Sequence, residues 1–259
     1  MSDGAPLRGR TVLVTRGTGK GDHLGRLLES AGAVVIRVPL ITTEPLRGAA
    51  RLAVAIARLR SAPGDAWLVL TSETALTLLS REVGPDLSLQ GVNVAVVGPA
   101  TEMALRSRGI HAALVAPGQE AGSLAAALVA RGVSGSRVLI VAAAGGRDVI
   151  APALNAAGAT VEVVESYRSV LPVGSAQQLR DALTAPIDAV TFTSGSTVAH
   201  FGLALAGRAA PGCPAICIGP VTAEAARRAG WATVVTAAEH TAAGVLAATV
   251  QQLRGPQLP

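Results

Sequence analysis

The segment Val97–Ala104, with the sequence VGPATEMA, returns near the end of the chain as Ile218–Ala225, with the sequence IGPVTAEA. Two earlier pairs of segments correspond in the same way: Leu70–Ser72 with Phe192–Ser194, and Leu28–Gly32 with Leu154–Gly158. A period of about half the chain is longer than the roughly 20–50 residues of a solenoid repeat. It therefore predicts two domains of one architecture, facing each other across a cleft of the kind that binds small molecules.

Short β-branched runs alternate along the chain with Ala-, Leu- and Arg-rich segments of helical period. Trp67–Thr71 and Ala189–Thr193 are examples of the predicted strands. Asp22, Ser72 and Ser123 are predicted to be helix N-caps. Strands that alternate with helices indicate parallel sheets covered on both faces. The sequence therefore predicts two similar flavodoxin-like α/β domains, each with a five-stranded, doubly wound parallel sheet.

The composition narrows the choice of partner. Half of the residues are hydrophobic but only 2% are aromatic, so the chain lacks the stacking platforms of a single-stranded nucleic-acid binder. The net charge is +5, and the basic residues are scattered rather than clustered, which argues against nucleic acid in general. All but one of the 22 basic residues are Arg, which suits a small polyanion bound through paired hydrogen bonds. Genomic base composition explains the excess of Arg equally well.

The sequence also bears on metals and on location. Cys213 and Cys217 have no His or further Cys near them, so we expect buried thiols and no metal site. The residues after Met1 include no apolar run typical of a signal peptide, and no stretch is long enough to span a membrane. We expect a cytoplasmic protein that does not interact with membranes.

Ligands of doubly wound sheets bind at the carboxyl ends of the strands. The residues that follow the predicted strands are mostly hydroxyl or glycine positions at helix starts: Thr71, Ser72, Gly98, Thr101, Ser194, Ser196, Gly219 and Thr222, with Arg16 after the first strand. Helix N-termini favour carboxylate and phosphate groups. These residues are therefore candidates for binding an anion, although each Ser or Thr alone is explained as well by helix capping.

Other motifs do not complete a known type of site. The loop Arg16–Gly21 resembles a phosphate-binding loop, but Val14 stands where a Walker A motif requires Gly. Asp22 stands where a dinucleotide fingerprint requires its third Gly. The four histidines are isolated from Ser or Cys nucleophiles, and paired carboxylates are missing from the strand ends. The reaction is therefore not expected to depend on a strong general base.

Taken in order, these motifs resemble the uroporphyrinogen-III synthase family. The resemblance is carried by Val14–Arg16, Pro39–Ile41, Thr71–Ser72, Val97–Thr101, Tyr167, Phe192–Ser196, Ile218–Ala223 and a terminal helix after Thr241. It implies two α/β domains joined by a two-stranded connector that the chain crosses twice. The expected first domain combines residues 1–37 and 172–259, the second spans 46–165, and the connectors are 38–45 and 166–171.

The resemblance also implies a reaction. Members of the family convert hydroxymethylbilane, a linear tetrapyrrole with eight carboxylates, to uroporphyrinogen III in haem, sirohaem and cobalamin biosynthesis. The bilane loses hydroxide to give an azafulvenium-like cation, the far pyrrole attacks through its substituted position, and a spiro intermediate rearranges so that ring D is inverted. Folding the bilane into the reactive geometry is catalysis by positioning.

The resemblance assigns roles to individual residues. Tyr167, the only tyrosine, is the candidate to protonate or hydrogen-bond the leaving hydroxyl, and packing of the connector is the alternative role. Thr101, Ser194 and Thr222 are expected to bind acetate or propionate groups. Arg16 and Arg147 are added as cations at strand ends. Two departures from the family pattern are Gly195, where many relatives have Pro, and Ala142–Gly146, where relatives often have a polar element.

The leading hypothesis is a monomeric hydro-lyase that needs no cofactor or metal and receives its substrate from hydroxymethylbilane synthase. The alternative from another class is a regulatory protein of the same fold that binds a tetrapyrrole or another polyanion without turnover. The sequence continues to Pro259 without a basic winged-helix segment, which favours the enzyme. A two-domain receptor of the periplasmic type is disfavoured by the lack of an export signal.

Overall fold

A computed structural model describes residues 5–17, 22–46, 49–84, 89–117, 121–146 and 148–254. The chain forms two compact units: unit 1 comprises Met1–Thr42 and Val170–Pro259, and unit 2 comprises Thr43–Ser169. The domain bounds expected from the sequence stay a prediction.

The elements follow one another in strict alternation over most of the chain. The first four are β1 (Thr11–Val14), α1 (His23–Ser30), β2 (Val34–Arg37) and β3 (Thr42–Pro45). They are followed by α2 (Ala49–Arg60), β4 (Ala66–Leu70), α3 (Glu73–Val83), β5 (Val92–Val96), α4 (Pro99–Arg106), β6 (Leu114–Val115), α5 (Ala121–Arg131), β7 (Arg137–Ala143), α6 (Ile150–Ala156) and β8 (Thr160–Val170). The last are α7 (Ser175–Ala182), β9 (Ala189–Phe192), α8 (Gly195–Leu205), β10 (Ala215–Cys217), α9 (Pro220–Arg228), β11 (Val234–Thr236) and α10 (Ala242–Leu253).

Each unit is built on a parallel sheet, as the alternation of strands and helices predicts. The sheet of unit 1 has the order β2-β1-β9-β10-β11, and every neighbouring pair is parallel. The sheet of unit 2 has the order β3-β8-β7-β4-β5-β6, and the pairs from β8 to β6 are parallel. The expectation of five strands is wrong for unit 2, because β3, placed by the sequence in the connector 38–45, hydrogen-bonds to β8 as a sixth strand.

The two sheets share a spatial order of strands but not a chain order. The repeat in the sequence equates β4 with β9, and the order β8-β7-β4-β5-β6 then matches β2-β1-β9-β10-β11 strand for strand. In unit 1 the counterparts of β7 and β8 come first in the chain, whereas in unit 2 they come last. The units are therefore circular permutations of one flavodoxin-like arrangement, whose strand order is 2-1-3-4-5.

The apolar residues of the central strands supply a core on each face of each sheet. All five residues of β4 are buried; Leu68 and Leu70 belong to the cluster under α2 and α3, and Trp67 and Val69 to the cluster under α5 and α6. This alternation follows from the two-residue period of a strand. It explains why the buried strands of a parallel sheet are continuous apolar runs.

Unit 1 concentrates its aromatic residues in one place. Phe192 on β9, Phe201 on α8 and Trp231 after α9 form an aromatic triad, with ring centroids 5.4–5.5 Å apart and tilted edge to face. Edge-to-face contacts of this kind stabilise by about 0.5–1.5 kcal/mol beyond the area they bury. Unit 2 has no such group among its described residues, and Trp67 there packs among aliphatic side chains under the guanidinium of Arg131, 5.6 Å away.

Helix starts agree in part with the predicted caps. Asp22 accepts a hydrogen bond from the Gly25 N–H at 3.1 Å and caps α1. Ser72 caps α3. The prediction for Ser123 is wrong, because α5 already begins at Ala121 and Ser123 lies inside it. None of the described helices is long and apolar enough to cross a membrane.

Candidate active site at the strand ends

The residues predicted to bind a ligand lie where the sequence places them, just after the parallel strands. In unit 2, Thr71 and Ser72 follow β4, and Gly98 and Thr101 follow β5 at the start of α4. In unit 1 the same places are taken by another set: Arg16 after β1, Ser194 and Ser196 after β9, and Gly219 and Thr222 after β10. Because the strands are parallel, each set lies at one edge of its own sheet. Arg147 lies outside the described residues.

Ser72 and Ser194 have the same backbone geometry. Their φ and ψ angles are −159° and 157° for Ser72, and −161° and 156° for Ser194. The Ala75 N–H donates to the Ser72 Oγ at 3.1 Å, and the Thr197 N–H donates to the Ser194 Oγ at 3.2 Å. Both serines therefore cap a helix. A hydroxyl that accepts one such bond still has its own hydrogen to donate, so capping and ligand binding are compatible.

A β-bulge places Tyr167. Along the β7–β8 pair, Ala142 lies opposite Glu165 and Ala143 opposite Tyr167, so Ser166 is an extra residue on β8. With strict alternation Tyr167 would share a face with Glu165, which lines a cavity against Ile140 and Ile150. The bulge turns it instead to the opposite face, where it packs in the cluster beneath α2 and α3.

The hydroxyl group of Tyr167 is anchored at the sheet edge. Its oxygen lies 2.7 Å from the Ser72 Oγ, and the residue as a whole is only 7% exposed. The packing role that the sequence leaves open for Tyr167 is therefore present in the structure. The hydrogen bond adds a second feature, since it joins the only tyrosine to the first turn of α3. The sequence places both residues near a site, but the contact depends on the bulge, which no local motif signals.

The Gly-Pro-x-Thr segments leave helix N-termini without a side-chain cap. Gly98 precedes α4 and Gly219 precedes α9, and neither cap position supplies a side-chain acceptor. Thr101 and Thr222, in the first turns, are only 4% and 5% exposed. Their hydroxyls make no hydrogen bond to another residue in the described part of the chain. Backbone N–H groups and hydroxyl groups of this kind suit a carboxylate.

His240 is a residue of this edge that the sequence treats as isolated. A methyl group on the Cα of Gly219 would lie 2.9 Å from the His240 Nε2, so the imidazole packs directly against the glycine. His240 is exposed and immediately precedes Thr241, the N-cap of α10. The signal available in the sequence is its place just before a helix that follows a predicted strand.

The cations at the strand ends differ in how far they are neutralised. Arg37, at the end of β2, donates to Asp22 at 2.7 Å and to Glu29 at 2.8 Å. The hydrogen bonds to Glu29 and Asp22 raise the pKa of its guanidinium above the ordinary value. Arg16 is exposed and pairs with no acidic group among the described residues, so its charge remains available to an anion.

A cavity of about 190 Å³ opens at the ends of β4 and β7 within unit 2. Thr71 and Gly146 line it, together with the carboxylates of Asp148 and Glu165. Asp148 accepts the Ala151 N–H at 3.1 Å, and Glu165 accepts the Gly145 N–H at 3.2 Å. Two negative charges make this cavity a poor site for a carboxylate.

Neither metal-binding clusters nor reactive thiols mark this edge. The described residues contain no group of three or more His, Cys, Asp and Glu side chains that could hold a metal ion. Cys217 is buried in β10, and burial raises the pKa of its thiol to about 12. Burial raises the pKa of Cys213 as well. Both thiols are therefore protonated near neutral pH, which disfavours a role as a nucleophile.

Solved structures share this fold. The chain superposes on the uroporphyrinogen-III synthetase of Helicobacter pylori with a TM-score of 0.66 and 16% identity, over 93% of this chain and 99% of the other. A mutant uroporphyrinogen III synthase from the extremely thermophilic bacterium Thermus thermophilus gives a TM-score of 0.61 at 17% identity, over 95% and 99% of the two chains. At these identities the likeness shows the fold, and it confirms the predicted fold class.

Sequence comparison shows the family. The chain is 31% identical over 264 residues to the uroporphyrinogen-III synthase of Synechococcus elongatus, covering 96% of this chain and 97% of that protein. The family model described as uroporphyrinogen-III synthase HemD matches residues 22–247. The match includes every described candidate residue except Arg16. The chain belongs to the uroporphyrinogen-III synthase family.

Proposed function

We propose that the protein is a hydro-lyase that converts hydroxymethylbilane to uroporphyrinogen III, with loss of water and inversion of ring D, and that it needs no cofactor. Membership of the family supports the reaction. The observation in the structure that carries the proposal is the hydrogen bond between Tyr167 and Ser72 at the strand-end edge of unit 2. We assign this phenol the role of the acid that assists the leaving hydroxyl.

In this mechanism Tyr167 donates its proton as the C–O bond of the terminal hydroxymethyl group breaks. Hydroxide leaves as water, and the bilane becomes an azafulvenium cation beside a tyrosinate. The far pyrrole then attacks this cation through its substituted carbon, and the spiro intermediate rearranges before the ring closes. Ring closure releases one proton, which restores the Tyr167 hydroxyl. The balance is one bilane converted to one macrocycle and one water.

Binding of the eight carboxylates accounts for the other candidate residues. We assign the N–H groups at the starts of α4 and α9, with the hydroxyls of the mostly buried residues Thr101 and Thr222, to acetate or propionate groups. Ser194 and Arg16 are assigned the same role, as a donor at a helix start and as a cation that pairs with no acidic group in the described part of the chain. Many weak donors hold the bilane in a reactive geometry, which is how positioning lowers a barrier.

We also propose that the protein acts as a monomer in the cytoplasm and takes the bilane directly from hydroxymethylbilane synthase. The free bilane closes without ring inversion when no synthase is present. Direct transfer would therefore limit formation of the type I isomer.

The test is a coupled assay in which hydroxymethylbilane is generated in situ and the uroporphyrin isomers are separated after oxidation. We expect mostly type III product with the protein and type I without it. Tyr167→Phe keeps the buried ring and removes only the hydroxyl, so it should fold normally and lower kcat by about 100-fold, the lower end of the range for a general acid. A folded wild-type protein that leaves the type I excess unchanged overturns the enzyme and favours a tetrapyrrole-binding regulatory protein.

A further inference from the structure

We propose that Ser72 is a positioning residue that acts through Tyr167, donating its hydroxyl hydrogen to the phenol oxygen so that the phenol proton points at the leaving group. The inference rests on the proposed function, and it changes the role that the sequence suggests for Ser72, which is direct binding of substrate. The observations behind it are the 2.7 Å contact, the helix cap and the burial of Tyr167.

Either oxygen of this pair could be the donor, and we assign the donated hydrogen to Ser72. Its Oγ already accepts the Ala75 N–H at 3.1 Å, and it has a single hydrogen to donate. If Ser72 donates that hydrogen to the Tyr167 oxygen, the Ala75 N–H and the Ser72 hydroxyl each make one hydrogen bond. The phenol hydrogen is then the only one left over, and it is available to the substrate. In the opposite direction, the proton needed for catalysis would be held by Ser72.

The position of Ser72 at a helix start also helps after the proton has left. The first turn of α3 carries the positive end of the helix dipole, and the Ala75 N–H polarises the serine hydroxyl. A tyrosinate formed 2.7 Å away accepts a stronger hydrogen bond from that hydroxyl than the neutral phenol does. The stabilisation grows as charge develops, so it lowers the barrier rather than merely favouring the bound substrate.

Unit 1 shows what the same cap does without a tyrosine. Ser194 has the backbone angles of Ser72 and caps α8, but its second partner is the Thr197 Oγ1 at 3.2 Å. The bulge that brings Tyr167 to Ser72 is described only in unit 2. Ser194 is therefore a matched control for the loss of a cap.

The experiment uses Ser72→Gly, because Gly is tolerated at an N-cap almost as well as Ser and the fold is retained. We expect kcat to fall about tenfold, with KM changed less than about twofold, and Ser72→Thr to recover most of the rate. In the Tyr167→Phe background, Ser72→Gly should cause little further loss, since the two groups act as a unit.

A second measurement does not depend on activity. The tyrosine ring doublet in the Raman spectrum distinguishes a phenol that accepts a hydrogen bond from one that only donates, and Tyr167 is the only tyrosine in the chain. Ser72→Gly should shift the doublet away from the acceptor form, whereas Ser194→Gly should leave it unchanged.

Two results overturn the inference. One is a raised KM with unchanged kcat in Ser72→Gly, which would mean that Ser72 contacts the substrate. The other is a doublet that Ser72→Gly does not alter. If the wild-type protein makes no type III product, the proposed function fails while the Raman result still decides whether Ser72 donates to Tyr167.

Discussion

Gly98 in unit 2 and Gly219 in unit 1 follow equivalent strands and precede equivalent helices, but their backbones differ. Gly98 has φ 77°, a conformation that disfavours any residue with a Cβ, and its Cα faces open space. Gly219 has φ −168°, which any residue adopts, and its missing Cβ leaves room for the ring of His240. The repeated glycine is therefore required by backbone geometry in unit 2, whereas in unit 1 it only makes room for the exposed ring of His240.

At the serines of the two units, the backbone angles agree and the side-chain partners differ. Ser72 and Ser194 share their backbone angles and their helix-capping bonds, yet only Ser72 contacts a tyrosine. A repeat in the sequence thus preserves the scaffold of the strand ends while the surrounding side chains give each unit its own chemistry. Variants at equivalent positions of the two units show which effects come from the shared backbone and which come from the differing side chains.

The largest expected difference lies in the cores, where Phe192 on β9 corresponds to Leu70 on β4. Phe192→Ala removes one ring from the aromatic triad, and we expect it to lower the free energy of unfolding by about 4 kcal/mol. Leu70→Ala, at the equivalent fully buried position, should cost about 3 kcal/mol. The measurement is urea unfolding followed by tryptophan fluorescence.

Each unit contains one of the two tryptophans, so each loss can be assigned to its unit. Trp231 reports on unit 1 in a Trp67→Phe background, and Trp67 reports on unit 2 in a Trp231→Phe background. Each core variant should shift the midpoint of its own unit by the larger amount. A Phe192→Ala loss below about 1 kcal/mol would show that the triad is not central to unit 1.

A smaller effect per pH unit is expected from alkaline pH, and it concerns unit 1 alone. Burial raises the pKa of Cys217 from 9.0 to about 12, so the unfolded thiol ionises before the folded one. The resulting stability is complete below about pH 9 and is lost as the pH rises toward 12. The free energy of unfolding reported by Trp231 should fall by up to about 1.4 kcal/mol per pH unit from this thiol. The slope is measured by urea unfolding at several pH values.

Cys217→Ala provides the comparison, because other groups also titrate in this range. Its unfolding free energy should fall less steeply with pH than that of the wild type. Equal slopes in the two proteins would exclude a contribution of the buried thiol.

The smallest effects come from the two glycines. Gly98→Ala forces a residue with a Cβ into an extended conformation of positive φ that is almost confined to Gly, and we expect it to destabilise unit 2 by about 1 kcal/mol. Gly219→Ala meets only the exposed ring of His240, which moves aside, so the cost to unit 1 should be below about 0.5 kcal/mol. The two losses of unfolding free energy are measured by urea unfolding, with the fluorescence of Trp67 reporting on unit 2 and that of Trp231 on unit 1.

The control for the second glycine is Gly219→Ala combined with His240→Ala. Removing the ring should abolish the remaining cost of the added methyl group. If Gly219→Ala proves as costly as Gly98→Ala in both backgrounds, the difference between the two glycines is not the one seen in the structure.

Much of the fold could be predicted because its determinants are local. The repeat and the alternating apolar runs predict two parallel-sheet units, and the caps at Asp22 and Ser72 are short-range signals. The local pattern does not predict the sixth strand of unit 2, because β3 is exposed and has no apolar pattern. Only the family resemblance, which implies a two-stranded connector over 38–45 and 166–171, indicates its pairing with β8. The prediction at Ser123 is wrong because α5 already includes Ala121 and Gly122.

The candidate site also has a part that could be predicted from the sequence and a part that could not. Residues that follow strands, such as Thr71 and Gly219, could be located from the strand pattern alone. The contact of Tyr167 with Ser72 could not, since it depends on the register of β7 against β8 across a bulge. The packing of His240 on Gly219 likewise joins two segments that only the folded sheet brings together.

The permuted chain order has a consequence for how the protein folds. Unit 2 is the continuous stretch Thr43–Ser169, whereas the sheet of unit 1 needs β1 to pair with β9, with Val12 opposite Ala189. During synthesis all of unit 2 emerges before β9, so unit 2 is able to fold first. Because β3 and β8 are neighbours in its sheet, folding brings the two ends of unit 2 together. The loop that β1 and β9 must close is then effectively short, and the entropy cost of forming unit 1 falls accordingly.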